Sequence, residues 1–117
     1  MDLAPELQPG TYVFCVDDGA SRVSPVATIR EREGLTIVLP REAADEARLP
    51  YDLVLAWITL TADTTLDQVG ITATVSTALA VAGIACNVIA GFHHDHLFVP
   101  AHRGNEALSV IRELAAS

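Results

Sequence analysis

Four adjacent residues carry the densest chemistry in this chain: His93, His94, Asp95 and His96. Imidazole and carboxylate are good ligands for zinc, nickel or iron. In extended chain His94 and His96 share a face, while His93 and Asp95 point away. A metal site on His94 and His96 would therefore need a ligand from elsewhere, such as His102 or a second copy. The plainer reading is a hydrophilic hairpin tip in which Asp95 bonds the turn backbone. A ligand contact or a proton-linked switch would use the same residues. No metal or other cofactor is expected.

Other reactive side chains do not assemble into a catalytic group. Ser76 and Ser109 fall inside helical patterns without a nucleophile-elbow sequence, there is no glycine-rich phosphate loop, and Asp17-Asp18 reads as an acidic turn. Cys15 and Cys86 each sit in an apolar run without CxxC spacing and read as small buried hydrophobes. The expectation is a protein that is not an enzyme.

Composition narrows the partners. The net charge is −8, from 15 acidic residues against 7 arginines, and those arginines form no stripe. A nucleic-acid backbone is an unsuitable partner for such a surface. No apolar run approaches the roughly 18 residues of a membrane span, and the start, MDLAPELQPG, has neither the basic residues nor the apolar centre of a secretory signal. A cytoplasmic protein is expected. With 117 residues, the chain can bury a core unaided.

The elements that position these residues follow from periodicity. Residues 1–10 read as an arm. Strands are expected at Thr11–Val16, Pro25–Arg32 and Leu35–Leu39, with a turn at Glu33-Gly34 and a helix over Arg41–Arg48. A long apolar strand over Asp52–Ala62 puts Val54, Ala56, Ile58, Leu60 and Ala62 on one face. Leu55, Trp57, Thr59 and Thr61 fall on the other. Ile71, Val75, Ala78, Leu79 and Ala82 make a helical stripe over Val69–Ala82, stopped by Gly83. Strands over Ala85–Ala90 and His96–Val99 and a helix over Asn105–Ala115 complete the chain.

An internal repeat is visible. Leu39-Pro40 and Val99-Pro100 each close a hairpin, and each is followed by a helix containing Glu-Ala. The first copy has an irregular loop where the second has its long helix, so two modules are expected, the first abridged. We read residues 11–51 as the abridged module and 52–117 as the complete one, packed as one compact body. The fold class is α+β, a ferredoxin-like antiparallel sheet with helices on one face. Leu55 and Trp57, on the face away from the helices, suggest an exposed patch and a homodimer.

Trp57-Ile-Thr-Leu60, Gly70-Ile-Thr-Ala73, Ala82-Gly-Ile84, Cys86-Asn87, Ala90-Gly91, His94-Asp95-His96 and Phe98-Val-Pro100 together resemble small uncharacterised prokaryotic proteins with tandem ACT-like domains. These are related to aspartate kinase regulatory domains and more distantly to the arginine-sensing CASTOR proteins. The resemblance runs from Thr11 to Leu114 and is strongest from Trp57 to Pro100. It implies amino-acid binding where the loop before the first helix of one module meets a strand of a neighbouring module. Carried onto this sequence, the implied contacts are Asp63, Leu66, Val69, Gly70, Ile71, Thr72, Asn87 and Ile89. The helix N-terminus would receive the ligand carboxylate. Asp63, Asp67 or groups around Asn87 would accept from its ammonium. The blander reading has Asp67 capping the helix, Gly70 as a packing glycine and Asn87 satisfying local backbone. The runner-up function is a ligand-free interaction module.

Overall fold

In a computed structural model, which describes residues 2–62 and 69–117, the chain forms two compact units. The elements in order are β1 (Pro5–Leu7), β2 (Tyr12–Val16), β3 (Ala27–Glu31), β4 (Gly34–Pro40), α1 (Arg41–Ala47), β5 (Leu55–Leu60), α2 (Ile71–Val81), β6 (Asn87–Ala90), β7 (Asp95–Pro100) and α3 (Gly104–Ala116). One unit is Gly10–Leu55. The other joins the N-terminal segment as far as Pro9 to Ala56–Ser117.

In the first unit β4 lies between β2 and β3 and pairs antiparallel with both. Alternation along β2 and β4 turns Val13, Cys15, Ile37 and Leu39 toward α1, where they pack with Ala44 and Leu49. Pro40 (φ −56°) ends β4 and leads into α1, while Arg48 (φ 59°) closes that helix with its amide donating to the Asp45 carbonyl. Between β2 and β3 the backbone has no helix. Asp18 organises the start of that connection, its carboxylate accepting from the Ala20 and Ser21 amides at 3.0 and 2.8 Å and from the Ser21 hydroxyl. These bonds hold the Asp18 carboxyl below its ordinary range, Ser21 contributing most.

In the second unit the strand order is β1-β5-β7-β6. β1 runs antiparallel to β5 with Pro5 opposite Leu60 and Leu7 opposite Ile58, and β6 runs antiparallel to β7. Contacts across β5 and β7 fall in opposite order along the two strands, Trp57 with Phe98 and Thr59 with His96, which is also an antiparallel register. Ala56, Ile58, Leu60, Leu97 and Val99 face α2 and α3 and pack with Val75, Leu79, Ala107, Leu108 and Ile111. α2 contains Thr72, Thr74, Ser76 and Thr77, so its stability rests on burying Val75 and Leu79 more than on propensity. Gly83 (φ 74°) stops it. The Arg103 guanidinium then donates to the Gly83 and Ala82 carbonyls at 2.7 and 3.0 Å while pairing with Glu106, satisfying carbonyls that the helix end leaves open.

Two expectations are corrected. Residues 1–10 are not an arm: Pro5–Leu7 is a strand, Leu3 is 1% exposed in the core of α2 and α3, and the Thr61 amide donates to the Ala4 carbonyl. Prolines 5 and 9 made this stretch look irregular, yet an edge strand tolerates proline where no ladder donor is needed. Nor do Leu55 and Trp57 form an exposed patch. Leu55 is 3% exposed, Thr59 5%, and Trp57 is half-buried beside His96 and Phe98. The remaining elements match the periodicity to within about three residues at each end.

Leu3→Ala should cost about 2–5 kcal/mol in urea denaturation, the range for truncating a fully buried leucine. A free N-terminal arm would leave the unfolding midpoint unchanged.

Candidate functional site

The histidine-rich turn is a hairpin connection from β6 to β7. The Gly91 amide donates to the His94 carbonyl at 2.9 Å, and Phe92 and His93 project outward, in edge contact with each other. His94 Nδ1 lies 3.4 Å from the Ala62 carbonyl. The tip therefore sits beside the end of β5, where the connection to α2 departs.

His96 points the other way across the sheet from Asp95, into a polar cluster that sequence reasoning missed. Trp57 Nε1 donates to His96 Nδ1 at 3.1 Å, Thr59 Oγ1 lies 3.2 Å from the same nitrogen, and Gln8 Nε2 donates to Thr59 Oγ1 at 3.0 Å. Burial, with a smaller effect of His94, holds His96 below its ordinary pKa, while Asp95 acts in the opposite sense. The sequence does contain the alternation Trp57-x-Thr59 and His96-x-Phe98. What it lacks is the register that brings the two pairs side by side, and any sign that Gln8 reaches them. His94 and His96 are thus engaged separately. Among the described residues no group of three or more His, Cys, Asp or Glu is placed to hold a metal ion.

The implied ligand contacts divide into three sets. Asp63 and Leu66, with Asp67, lie outside the described residues. Val69, Gly70, Ile71 and Thr72 form the entry to α2. Val69 is 94% exposed, Thr72 is exposed, and Ile71 is half-buried against the core. Gly70 adopts φ 91° as the residue before the helix. Its carbonyl accepts from the Thr74 amide and hydroxyl at 2.9 and 2.7 Å. Among the described residues no side chain caps this end and the first turn holds no acidic residue, so no described carboxylate offsets the positive end of the helix. Asn87 and Ile89 belong to β6, opposite Phe98 and His96. Asn87 begins β6 just beyond the Gly83 end of α2, a helix about 16 Å long at 1.5 Å per residue. Within one chain, Gly70 and Asn87 therefore lie at opposite ends of the α2–β6 unit.

A cavity of about 580 Å³ opens in the first unit, lined by Phe14, Val16, Ile29, Glu31, Tyr51 and Asp52 among others. The Tyr51 hydroxyl is committed beside it, donating to Asp45 and accepting from Arg41. Both cysteines are free, and burial pushes each thiol above its ordinary pKa, the opposite of an activated nucleophile.

Two ACT-domain family models match this chain, one over residues 1–56 and the other over residues 54–113. The chain belongs to the ACT-domain family. A Vibrio cholerae protein of unknown function, described as a possible transport protein, is 45% identical. The match covers 94% of this chain and 87% of that one, with a TM-score of 0.87. An Agrobacterium tumefaciens protein has 18% identity over 95% of this chain and 87% of that one, at a TM-score of 0.72. The ligand-free regulatory subunit of Thermus thermophilus aspartate kinase has 11% identity, over 93% and 94% of the two chains, at a TM-score of 0.68, a likeness of fold. No curated protein matches.

The tandem ACT reading explains the difference between the connections of the two modules. The complete ACT module carries α2 between β5 and β6, and its counterpart between β2 and β3 is the Asp18 turn. A long helix entered through a left-handed glycine, Gly70 at φ 91°, is therefore a feature of the C-terminal ACT module. A Cβ at Gly70 meets nothing within 4 Å, yet φ 91° is strained for any L side chain. Gly70→Ala should lower stability by about 1–3 kcal/mol in chemical denaturation. An unchanged midpoint would show that another backbone conformation is equally good at this entry.

Proposed function

We propose that this ACT protein is a regulatory module that binds an amino acid or a related small molecule at the entry to α2. The observation that carries this reading is the helix start itself, with Gly70 left-handed and, among the described residues, no side-chain cap and no acidic residue in the first turn. A ligand carboxylate is stabilised there by the exposed amides and the positive helix end. Asp63 and Leu66, which precede this helix in the sequence, are assigned as further ligand contacts. Asn87 and Ile89 would come from β6 of a second copy, because β6 ends the strand order of its unit and Asn87 lies at the far end of α2 from Gly70 within one chain. The functional form is then a homodimer with the ligand between copies, and binding would change its assembly or a partner's activity. A cytoplasmic setting suits the two free thiols, and no helix among the described residues is long and apolar enough to cross a membrane.

Thermal-shift measurements against the individual amino acids test this. A ligand present at 100 times its Kd should add about 2.7 kcal/mol of stability, and Asp63→Ala should abolish that gain while leaving the ligand-free melting temperature near wild type. Absence of any shift would favour the ligand-free interaction module.

A further inference from the structure

The ring of His96 is held by groups with opposite demands. Trp57 Nε1–H can only donate, and it lies 3.1 Å from His96 Nδ1. Nδ1 must then present its lone pair, so the imidazole is neutral with its proton on Nε2. Thr59 Oγ1, 3.2 Å from the same Nδ1, differs in kind, because a hydroxyl can donate or accept. Its geometry is fixed from behind by the Gln8 donor at 3.0 Å. Nε2 faces the hairpin, where a Cβ added to Gly91 would come within 3.2 Å of it, so the ring has little room to turn over. A proton taken from solvent onto Nδ1 sets it against the indole N–H, donor against donor, while the Thr59 oxygen remains able to accept.

We propose that Trp57, Thr59 and His96 form a proton-operated switch in the C-terminal ACT module, in which protonation passes His96 Nδ1 from Trp57 to Thr59 and releases the indole. Among the described residues the groups facing His96 are Trp57 and Thr59 on β5, Ile89 opposite on β6, Gly91 and His94 on the hairpin, and the adjacent Asp95. Of these His94 and Asp95 carry ionisable side chains. Burial first, then His94, holds His96 below its ordinary value of 6.5, against the pull of Asp95. With the folded pKa below the unfolded one, the folded state takes up its proton last. The contribution of the neutral ring to stability is complete above 6.5 and is lost as pH falls through the folded-state pKa. The released indole lies on β5, the strand from whose end the connection to α2 departs beside His94.

Trp57 is the sole tryptophan, so the whole chain reports on the switch. Its indole N–H resonance and emission, and the His96 ring resonance, would be followed by NMR and fluorescence from about pH 8 to about pH 5, the window in which histidine titrates. We expect the indole signals and the His96 ring to move together with one midpoint below 6.5. His96→Gln should abolish the indole step. Thr59→Val should lower the midpoint by removing the acceptor for the charged ring, and His94→Gln should raise it. A His96 ring that titrates while the indole resonance stays in place overturns the proposal, and this outcome is read on the wild-type chain alone. So does an indole step that survives in His96→Gln.

Discussion

β5 is buried on both faces, and that constraint organises the C-terminal ACT module. Ala56, Ile58 and Leu60 face the helices, while Thr59 on the other face is 5% exposed. A strand out of water on two sides must pair its backbone on both edges and satisfy every polar atom it carries. β7 takes one edge and β1 part of the other. The Thr59 hydroxyl finds Gln8 and His96, so a polar residue in the middle of a hydrophobic strand fixes the position of a histidine on the next strand and of a glutamine just past β1. Buried polar groups satisfied in this way specify register as much as they contribute stability.

Much of this was legible in the residues. The 3.6-residue stripe of Ile71, Val75, Ala78 and Leu79 marks α2 despite its threonines, and Gly83 marks its end, because burial and a left-handed cap leave signatures in residue type. Leu39-Pro40 and Val99-Pro100 recur for a physical reason: in both modules a buried residue closes the strand, and a proline near φ −55° turns the chain into a helix. β1 was not legible, since three residues that begin with a proline carry no period and their order comes from an edge made about fifty residues later. Assigning Leu55 and Trp57 to an exposed patch failed differently. Alternation shows which side chains share a face and cannot show what that face meets. The candidate ligand contacts were found by family likeness; Gly70 stands at the start of α2 with a left-handed backbone, whereas Asn87 begins β6 beyond the far end of that helix.

The tandem arrangement divides labour. The N-terminal module has given up its first helix for a loop set by Asp18, and with it any helix entry able to receive an anion between its first two strands. The C-terminal module keeps that helix, and its histidine-rich hairpin lies beside the end of β5, His94 Nδ1 being 3.4 Å from the Ala62 carbonyl. The N-terminal module supplies a β2-β4-β3 sheet on a short helix.

The pairing of β1 with β5 also orders events in time. Residues 3–8 are synthesised before their partners from Trp57 to Ala62, which follow about fifty residues later, a delay of about 3–10 s at ordinary elongation rates. During that interval Leu3 and Leu7 have no core to enter. The N-terminal module, with its strands nearly consecutive in sequence, can close meanwhile. The C-terminal module, by contrast, acquires its edge strand only through a contact of long sequence separation, the kind that slows folding.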